Sequence, residues 1–273
     1  MSLLLVAGVV AAGAVAGGLG SLLGIGGGVF LVPFLNAGLG VDFEIARGVS
    51  LMTVIATSSA VSAGSAGRNT INLRLGMVLE VASTAGGLLA AYTVERLSEG
   101  RLSLIFAIVT AVIAMLMVSR LEKRNVLAAD ADIGELGGRY YEEESGREVA
   151  YRVKRLPVGM VASLLAGAVS GTLGIGGGIL KVPVLNAWCG VPLRAAAATS
   201  AFMIGVTATG GAVIYYGRGQ LMPSLAAAAV LGVQVGSWSG LRIGDKASVN
   251  WLKLLMAAVL VFMSALMFIH SRG

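Results

Sequence analysis

The sequence predicts an all-α, polytopic membrane protein built from two homologous halves. Only 12% of its 273 residues are charged, about half the share that soluble domains carry, and 56% are hydrophobic. Apolar stretches of roughly 20 residues recur along the chain, and each is long enough to cross a bilayer core of about 30 Å as a helix. The 40 glycines fit closely packed membrane helices, in which small residues let backbones approach one another.

A duplicated motif divides the chain into its two halves. Residues 23–37 read LGIGGGVFLVPFLNA and residues 173–187 read LGIGGGILKVPVLNA, with 11 of 15 positions identical. The same offset of 150 residues continues without a gap to Gly86 and Gly236. The predicted units are a first transmembrane repeat, a polar linker and a second transmembrane repeat: 1–119, 120–155 and 156–273.

Each half contains five apolar stretches in matching order. In the first half they are 2–23, 28–39, 45–66, 75–94 and 102–119, and in the second 157–173, 178–190, 194–216, 221–241 and 249–269. The second stretch of each half is only roughly 16 to 20 Å long as a helix and follows the glycine run. Short, glycine-interrupted segments at matching positions of two halves predict discontinuous helices near a transport site.

Two membrane topologies are open at this point. If all five stretches cross, the halves have opposite orientations, and we favour this inverted repeat. If the short stretches re-enter, each half crosses four times and the halves are parallel. Basic residues flank the linker at 120–124 and 152–155, so the positive-inside rule predicts a cytoplasmic linker. Its acidic centre is expected to be a surface loop with at most a short helix.

The composition argues against enzyme chemistry and nucleic-acid binding. With one cysteine, Cys189, and one histidine, His270, a zinc site or a Cys–His nucleophile is hard to assemble, so we predict no enzyme activity, metal or cofactor. The linker holds eight basic and eight acidic residues, so the net charge of +6 comes from the loops and span ends of the two halves. This excess suits anionic lipid head groups and an anionic solute.

The glycine runs are candidate anion sites. Irregular backbone at membrane depth must line a cavity or be buried in protein. Glycines adopt φ > 0 and bring N–H groups close to a ligand, and the following helix adds the positive end of its dipole. The predicted substrate-binding glycines are Gly26, Gly27, Gly28, Gly176, Gly177 and Gly178. The alternative is that they only permit close helix packing. A dinucleotide fingerprint is a poorer match, because Val29 and Ile179 stand where a third glycine is needed.

Matching polar residues extend the candidate site. Asn36 and Asn186 end the short segments, where they either cap them or bind a solute. Hydroxyls on the third stretch of each half line a pathway or bond back to their own helix turn, and they are Ser50, Thr57, Ser200 and Thr207. Arg68 and Arg218 end those stretches, where they gather anions at the pathway mouth or extend to lipid head groups.

Two charges inside apolar stretches lack counterparts in the repeat. Glu80 aligns with Val230, and Lys181 aligns with Leu31. An isolated charge at such a position costs roughly 2.5 to 3.5 kcal/mol. One hypothesis is that the two side chains pair across the interface of the halves. Another is that Glu80 carries a coupling proton. The alternative without a function is that Glu80 is solvated near the membrane surface.

The doubled GIGGGxxxVPxLN motif at 24–36 and 174–186, the two-half layout and the Tyr216-Gly217-Arg218 ending resemble the TauE/SafE (TSUP) family of sulfite and organosulfonate exporters. The resemblance implies a secondary transporter in the cell (inner) membrane that moves small sulfur-containing oxyanions by alternating access, with proton coupling. Lys181 departs from the motif of the first half. The rival functions are a passive anion channel and a membrane scaffold without transport. The expected partners are a small anionic solute, the bilayer and, as an option, a second copy in a homodimer.

Overall fold

The helices of the computed structural model follow the predicted apolar stretches. It describes residues 3–65, 68–93, 104, 107–108, 111, 115, 132–142, 146–174 and 176–270. The helices of these ranges are α1 Leu3–Leu23, α2 Gly28–Pro33, α3 Phe43–Gly64, α4 Leu73–Thr93, α5 Leu156–Leu173, α6 Gly178–Ala187, α7 Leu193–Gly217, α8 Pro223–Lys246 and α9 Val249–His270. A π-helical turn, Phe34–Gly38, continues α2. The predicted stretch 102–119 falls mostly outside the described residues.

Five of the described helices are long and apolar enough to cross a membrane. The spans are Leu5–Leu23, Phe43–Gly64, Leu73–Ala90, Leu193–Gly217 and Pro223–Gly244. The apolar parts of α5 and α6 are shorter, at Leu156–Thr172 and Gly178–Ala187. The chain is therefore a mainly α-helical, multi-pass membrane protein, as its composition predicts.

The first helix of each half packs along the fourth helix of the other half. Backbone carbonyl groups of α1 pack against glycines of α8. The contacting pairs are Val10 with Gly232, Ala14 with Gly236, and Gly18 with Gly240. Both members of each pair advance by four residues, one helix turn, so α1 and α8 run in the same direction. A Cβ at any of these glycines would collide with the facing carbonyl, which explains why small residues recur here.

The other helix pairs complete the exchange between the halves. Ser83 faces Gly167 and Gly87 faces Gly171, so α4 and α5 also run in the same direction. The two third stretches, α3 and α7, are antiparallel, since the contacting pairs are Leu51 with Gly211 and Ser58 with Gly205.

The linker folds into a β-hairpin that docks on one end of the helices. Strands β1 Gly138–Glu142 and β2 Arg147–Tyr151 pair antiparallel, with Tyr140 opposite Val149. The Nδ2 group of Asn72 donates to the Leu136 carbonyl at 2.8 Å and to the Tyr151 hydroxyl at 3.1 Å. The expectation of a surface loop or short helix is wrong, because buried apolar side chains of the strands hold the hairpin against the helices. We call this the linker end.

Each broken helix returns to the end from which it came. The Lys154 amide, just before α5, donates to the Cys189 carbonyl, just after α6, at 2.8 Å. Helices α5 and α6 therefore enter and leave at the linker end. In the first half, α1 runs beside α8 and in its direction, and Gly27 packs back against Ala16 of α1. The next helix, α3, begins at the same end of the bundle as α8. Glu44, in the first turn of α3, accepts a hydrogen bond at 2.6 Å from Gln220, which lies just before α8. We call this the far end.

The short second stretch of each half therefore re-enters in a different way from the one expected from the sequence. The sequence-based expectation counted the first stretch as one crossing and the re-entrant segment as none, which leaves four crossings in each half. In the structure, the first and second stretches form one hairpin that returns to its starting end.

Candidate functional site

The two glycine turns meet in the middle of the helix bundle. Gly24, Gly26, Gly174 and Gly176 have φ between 68° and 82°, a backbone region that favours glycine. A Cβ built on Gly178 would lie 2.8 Å from the Gly24 carbonyl oxygen, and one on Gly28 would lie 3.1 Å from the Gly174 carbonyl oxygen. Each turn thus packs directly on the other, and side chains there would separate them.

Two apolar side chains at matching positions of the repeat enclose the turns. Val54 of α3 and Ile204 of α7 are fully buried, and both would contact a Cβ placed on Gly26 or on Gly176. The two positions are 150 residues apart, so each half packs a branched apolar side chain from the equivalent position against the two turns. The described glycines of both turns are buried or nearly so, as the packing alternative requires.

The turns nevertheless present helix-start amides without protein acceptors. Leu31 and Lys181 donate to the carbonyls of Gly27 and Gly177, which start α2 and α6. The backbone amides of Gly28 and Gly178, the first residues of α2 and α6, donate to no protein group among the described residues, as is usual for the first turn of a helix. The copies differ at the third glycine, since φ is −68° at Gly27 and 68° at Gly177.

The matching serines behave differently in the two halves. The Ser50 hydroxyl donates to the Gly174 carbonyl at 2.8 Å, which ties α3 of the first half to the turn of the second. The Ser200 hydroxyl is fully buried and has no hydrogen-bond partner among the described residues. Ser200 is thus an uncommitted polar group on the helix that packs against the first turn.

The threonines divide between the two alternatives. Thr57 donates to the Thr53 carbonyl at 2.9 Å, so its hydroxyl bonds back to its own helix turn. Thr207 also reaches its own helix, at the Met203 carbonyl, but its hydroxyl makes a short hydrogen bond to Glu80 as well.

The asparagines cap the short helices in the same way. Asn36 donates from Nδ2 to the Val41 carbonyl at 3.0 Å, and Asn186 donates to the Val191 carbonyl at 2.9 Å. Both bonds close the loop that follows the broken helix. The geometry supports the capping alternative for the amide nitrogens.

The structure brings Glu80 and Lys181 together. The Lys181 ammonium on α6 lies 3.4 Å from a carboxylate oxygen of Glu80 on α4, and their side chains are 1% and 7% exposed. The second Glu80 oxygen accepts from Thr207 of α7. The pair therefore links the first half to the broken helix of the second, and the solvated alternative for Glu80 does not apply. Among the described residues, no group of three or more His, Cys, Asp or Glu could hold a metal ion.

The two predicted mouth arginines lie at opposite ends of the bundle. Arg68 follows α3 and lines a cavity at the linker end, whereas Arg218 follows α7 at the far end. The structure therefore does not join them in one mouth, because α3 and α7 are antiparallel.

A buried arginine, Arg47, was missed by the sequence reasoning. Its side chain is 5% exposed, donates to the Thr172 carbonyl at the end of α5 at 2.7 Å, and lies 5.3 Å from the ring centres of Phe43 and Tyr215. A charge near the start of an apolar stretch was the available signal, and it is the criterion that singled out Glu80.

A cavity of about 100 Å³ lies at the linker end. Among the described residues, its charged lining residues are Arg68, Arg194 and Glu142. Such a volume holds several waters or one small oxyanion, since a water needs roughly 10–15 Å³ on this scale. The sequence reasoning missed Arg194, which reads as an ordinary flanking residue at the start of α7.

The cavity lies beside the first glycine turn but does not include it. Leu23 and Ala197 line the cavity, and Ala197 also packs against Gly24. None of the described glycines of the two turns is a lining residue. Tyr140 and Tyr141 of β1 form its hairpin side, and burial, with the charge of Glu142, raises the pKa of Tyr140, so this hydroxyl keeps its proton.

The fold and these features agree with comparisons to known proteins. A model of the family described as sulfite exporter TauE/SafE matches residues 9–267. The chain belongs to the TauE/SafE family. As a TauE/SafE protein it is a membrane transporter, and its curated relatives carry corresponding names.

Two relatives of this TauE/SafE protein match almost end to end. The probable membrane transporter protein YunE of Bacillus subtilis (strain 168) is 27% identical over 256 residues, covering 91% of this chain and 92% of the relative. The probable membrane transporter protein MJ0441 of Methanocaldococcus jannaschii is 26% identical over 273 residues, covering 93% and 92%. No solved structure matches the chain.

Proposed function

We propose that this TauE/SafE protein is a proton-coupled secondary transporter that moves small sulfur-containing oxyanions by alternating access. The proposed substrate is sulfite, which the family description names, or sulfoacetate or a related organosulfonate. The observation that carries the proposal is the meeting of two interrupted helices, one from each half, at the centre of the bundle. Transporters built from repeats place their substrate sites at such breaks.

The helix directions support inverted repeats. Helix α3 runs from the far end to the linker end, and its counterpart α7 runs the opposite way. Helix α4 starts at the linker end, where Asn72 contacts the hairpin, whereas its counterpart α8 starts at the far end. Each pair of equivalent helices is thus reversed, as a two-fold axis in the membrane plane requires.

An anionic substrate follows from charge and from the helix starts. The amides of Gly28 and Gly178 begin α2 and α6 at the contact of the two turns, where no described protein group accepts from them. Helix starts favour negative charge. The cavity beside the first turn adds the guanidinium groups of Arg68 and Arg194. We place the linker end in the cytoplasm on the positive-inside rule, and the protein in the inner membrane as the family resemblance implies.

Alternating access requires the packed turns to separate. In this structure Val54 and Ile204 fill the space around Gly26 and Gly176, so an anion reaches the amides only after α3 and α7 move. Gly24 packs on Ala197 of α7, whereas Gly174 packs on Arg47 of α3 and accepts a hydrogen bond from Ser50, so separating the turns breaks the Ser50 bond. The structure would then be one closed state of the cycle.

Proteoliposome flux with a matched pair of variants tests the proposal. Gly178→Ala places a methyl group 2.8 Å from the Gly24 carbonyl oxygen, whereas Gly210→Ala meets nothing within 4 Å. We expect sulfite or sulfoacetate counterflow by the wild type and by Gly210→Ala, and a loss of at least tenfold in Gly178→Ala. Anion flux without counterflow would indicate a channel, and no flux or binding for any tested anion would indicate a scaffold.

A further inference from the structure

The repeat relates the cavity at the linker end to an equivalent cluster at the far end. Three residues that line the cavity have counterparts, 150 positions away, that contact one another where α3 begins and α7 ends. The pairs, with the cavity residue first, are Ala197 with Arg47, Ser65 with Tyr215, and Thr70 with Gln220. We call these three counterparts, Arg47, Tyr215 and Gln220, the far cluster.

Larger side chains fill the far cluster, whereas their smaller counterparts line a cavity at the linker end. The guanidinium carbon of Arg47 lies 5.3 Å from the centre of the Tyr215 ring, and the Gln220 amide donates to the Tyr215 carbonyl at 3.0 Å. A Cβ on Gly48 of α3 would collide with the Gln220 carbonyl, so this loop packs directly on the helix. The structure is therefore closed at the far cluster, as alternating access requires of one side at a time.

The buried charge of Arg47 is only partly balanced. Its Nη1 group donates to the Thr172 carbonyl, which brings no more than the partial negative charge of a helix end. Its Nε group is buried and has no hydrogen-bond partner among the described residues. Its Nη2 group lies 4.0 Å from a Glu44 oxygen, beyond hydrogen-bonding distance, and the Glu44 side chain is 57% exposed, which makes it a weak counter-ion. Since a guanidinium group has five N–H donors, Arg47 can still bind an oxyanion.

We infer that Arg47 is the anion-binding residue of a second site, at the far end, which opens when the linker end closes. The inference rests on the proposed function, which supplies both the small oxyanion and the alternation of the two sides. Gly174 of the second turn packs on the Arg47 side chain, and Ser50, one helix turn further along α3, donates to the carbonyl of that glycine. The site thus lies between the exposed Glu44 and the two glycine turns.

Glu44 and Gln220 form the outer side of this site. Gln220 donates from Nε2 to one Glu44 oxygen at 2.6 Å, and the other Glu44 oxygen faces Arg47. Opening the site breaks this hydrogen bond between α3 and the segment before α8. The Gln220 Oε1 atom is buried and has no partner in the part of the chain that the structure describes. Opening therefore returns water to this oxygen and to the Arg47 Nε group, which offsets the lost bond.

Sulfite transport measured from each side tests the site. Membrane vesicles of both orientations are prepared, and cleavage by external trypsin identifies those with the linker end outside, since Arg139 and Arg147 of the hairpin are exposed. With the far end outside, Arg47→Gln should raise the half-saturation concentration for sulfite at least about tenfold, because charge-assisted hydrogen bonds are lost. Arg47→Lys keeps the charge and should raise it less. With the linker end outside, both variants should change it little. Arg74→Gln, an exposed arginine at the start of α4, is the control.

Glu44 provides a second variant that leaves the buried contacts in place. Glu44→Gln removes the carboxylate beside Arg47, so it should lower the half-saturation concentration at the far end roughly threefold. Asp42→Asn is the matched control, because Asp42 is exposed, lies two residues earlier and makes no capping hydrogen bond. It should leave the value unchanged. Because Glu44 is exposed, this comparison decides the question even if Arg47→Gln does not fold.

The outcomes separate the inference from the proposed function. Half-saturation values that Arg47→Lys and Glu44→Gln leave unchanged, or change equally on both sides, would overturn the inference and leave Arg47 as a clamp on the end of α5. If the wild type transports no sulfite from either side, the proposed function fails, and melting curves with sulfite, sulfate, phosphate and acetate test the site by itself. An anion that raises the melting temperature of the wild type more than that of Arg47→Lys would keep the site, and the lack of any such anion would overturn it.

Discussion

Removing one partner of the Glu80–Lys181 pair should destabilise the protein far more than removing both. The pair is buried, with the Lys181 side chain 1% and the Glu80 side chain 7% exposed, and the two groups lie 3.4 Å apart. In Lys181→Leu, the Glu80 carboxylate stays in the protein interior with only the hydroxyls of Thr207 and Thr84 as described hydrogen-bond donors. Leaving a buried charge without its counter-ion costs about 3–5 kcal/mol.

The repeat itself supplies the apolar replacement. The counterparts of these residues are Val230 and Leu31, so Glu80→Val with Lys181→Leu copies the composition of the opposite half. Replacing both charges by apolar groups of similar size is often neutral or stabilising by about 1–4 kcal/mol. The double variant should therefore recover most of what Lys181→Leu loses, which gives a coupling of several kcal/mol in a double-mutant cycle.

The cycle is measured by unfolding the purified protein with SDS in mixed micelles and following tryptophan fluorescence. Lys154→Leu, a lysine just before α5, serves as the control for losing a lysine. A Lys181→Leu variant as stable as Lys154→Leu would refute the reasoning, and so would single changes that simply add in the double variant. Proton-coupled flux in Glu80→Gln tests the separate hypothesis of a coupling proton, and unchanged coupling would reject it.

Three further predictions concern the loops and the turns. Burial raises the pKa of the Cys189 thiol to about 11, so iodoacetamide should not modify this thiol in the folded protein at pH 8. The free energy of unfolding should fall between pH 9 and 11, because the thiol loses its proton in the unfolded chain first. Ready modification of the folded protein would contradict this prediction. Asn72→Ala removes a helix cap and two bonds to the hairpin, so it should cost about 1–2 kcal/mol and speed tryptic cleavage of the linker, whereas Tyr151→Phe should act more weakly. Gly177→Ala should destabilise by about 1–2 kcal/mol more than Gly27→Ala, because only Gly177 has positive φ; equal melting temperatures would count against that assignment.

The candidate site was predictable where chemistry stands out locally and not where it depends on contacts. Glu80 and Lys181 are conspicuous because a charge in an apolar stretch needs a partner. Arg47 meets the same criterion and was overlooked, while Arg194 looks like a residue at a span end until its hydrogen bonds to Gly244 and Ala247 are known. The roles of Asn36 and Asn186 were ambiguous because capping and solute binding use the same amide group.

The pairing of α1 with α8 and of α4 with α5 could not be predicted from hydrophobic periodicity. In a membrane both the lipid-facing and the protein-facing sides of a helix are apolar, so the pattern does not mark the packed face. The glycines of α8 show which face packs only when the carbonyls of α1 are seen against them. The re-entrant form of the broken helices has the same origin, since it is shown by contacts such as that between Lys154 and Cys189.

By itself the sequence determined that the chain lies in a membrane, that it is duplicated, and that each copy is interrupted at a glycine run. These properties depend on the length, solvation and backbone freedom of single segments, which neighbouring residues decide. Only the tertiary structure decided that the two interruptions meet, that a buried ion pair joins the halves, and that the linker covers a cavity holding two arginines. Those features depend on contacts between residues that lie 64 to 124 positions apart, whose geometry comes from the packing of the whole helix bundle.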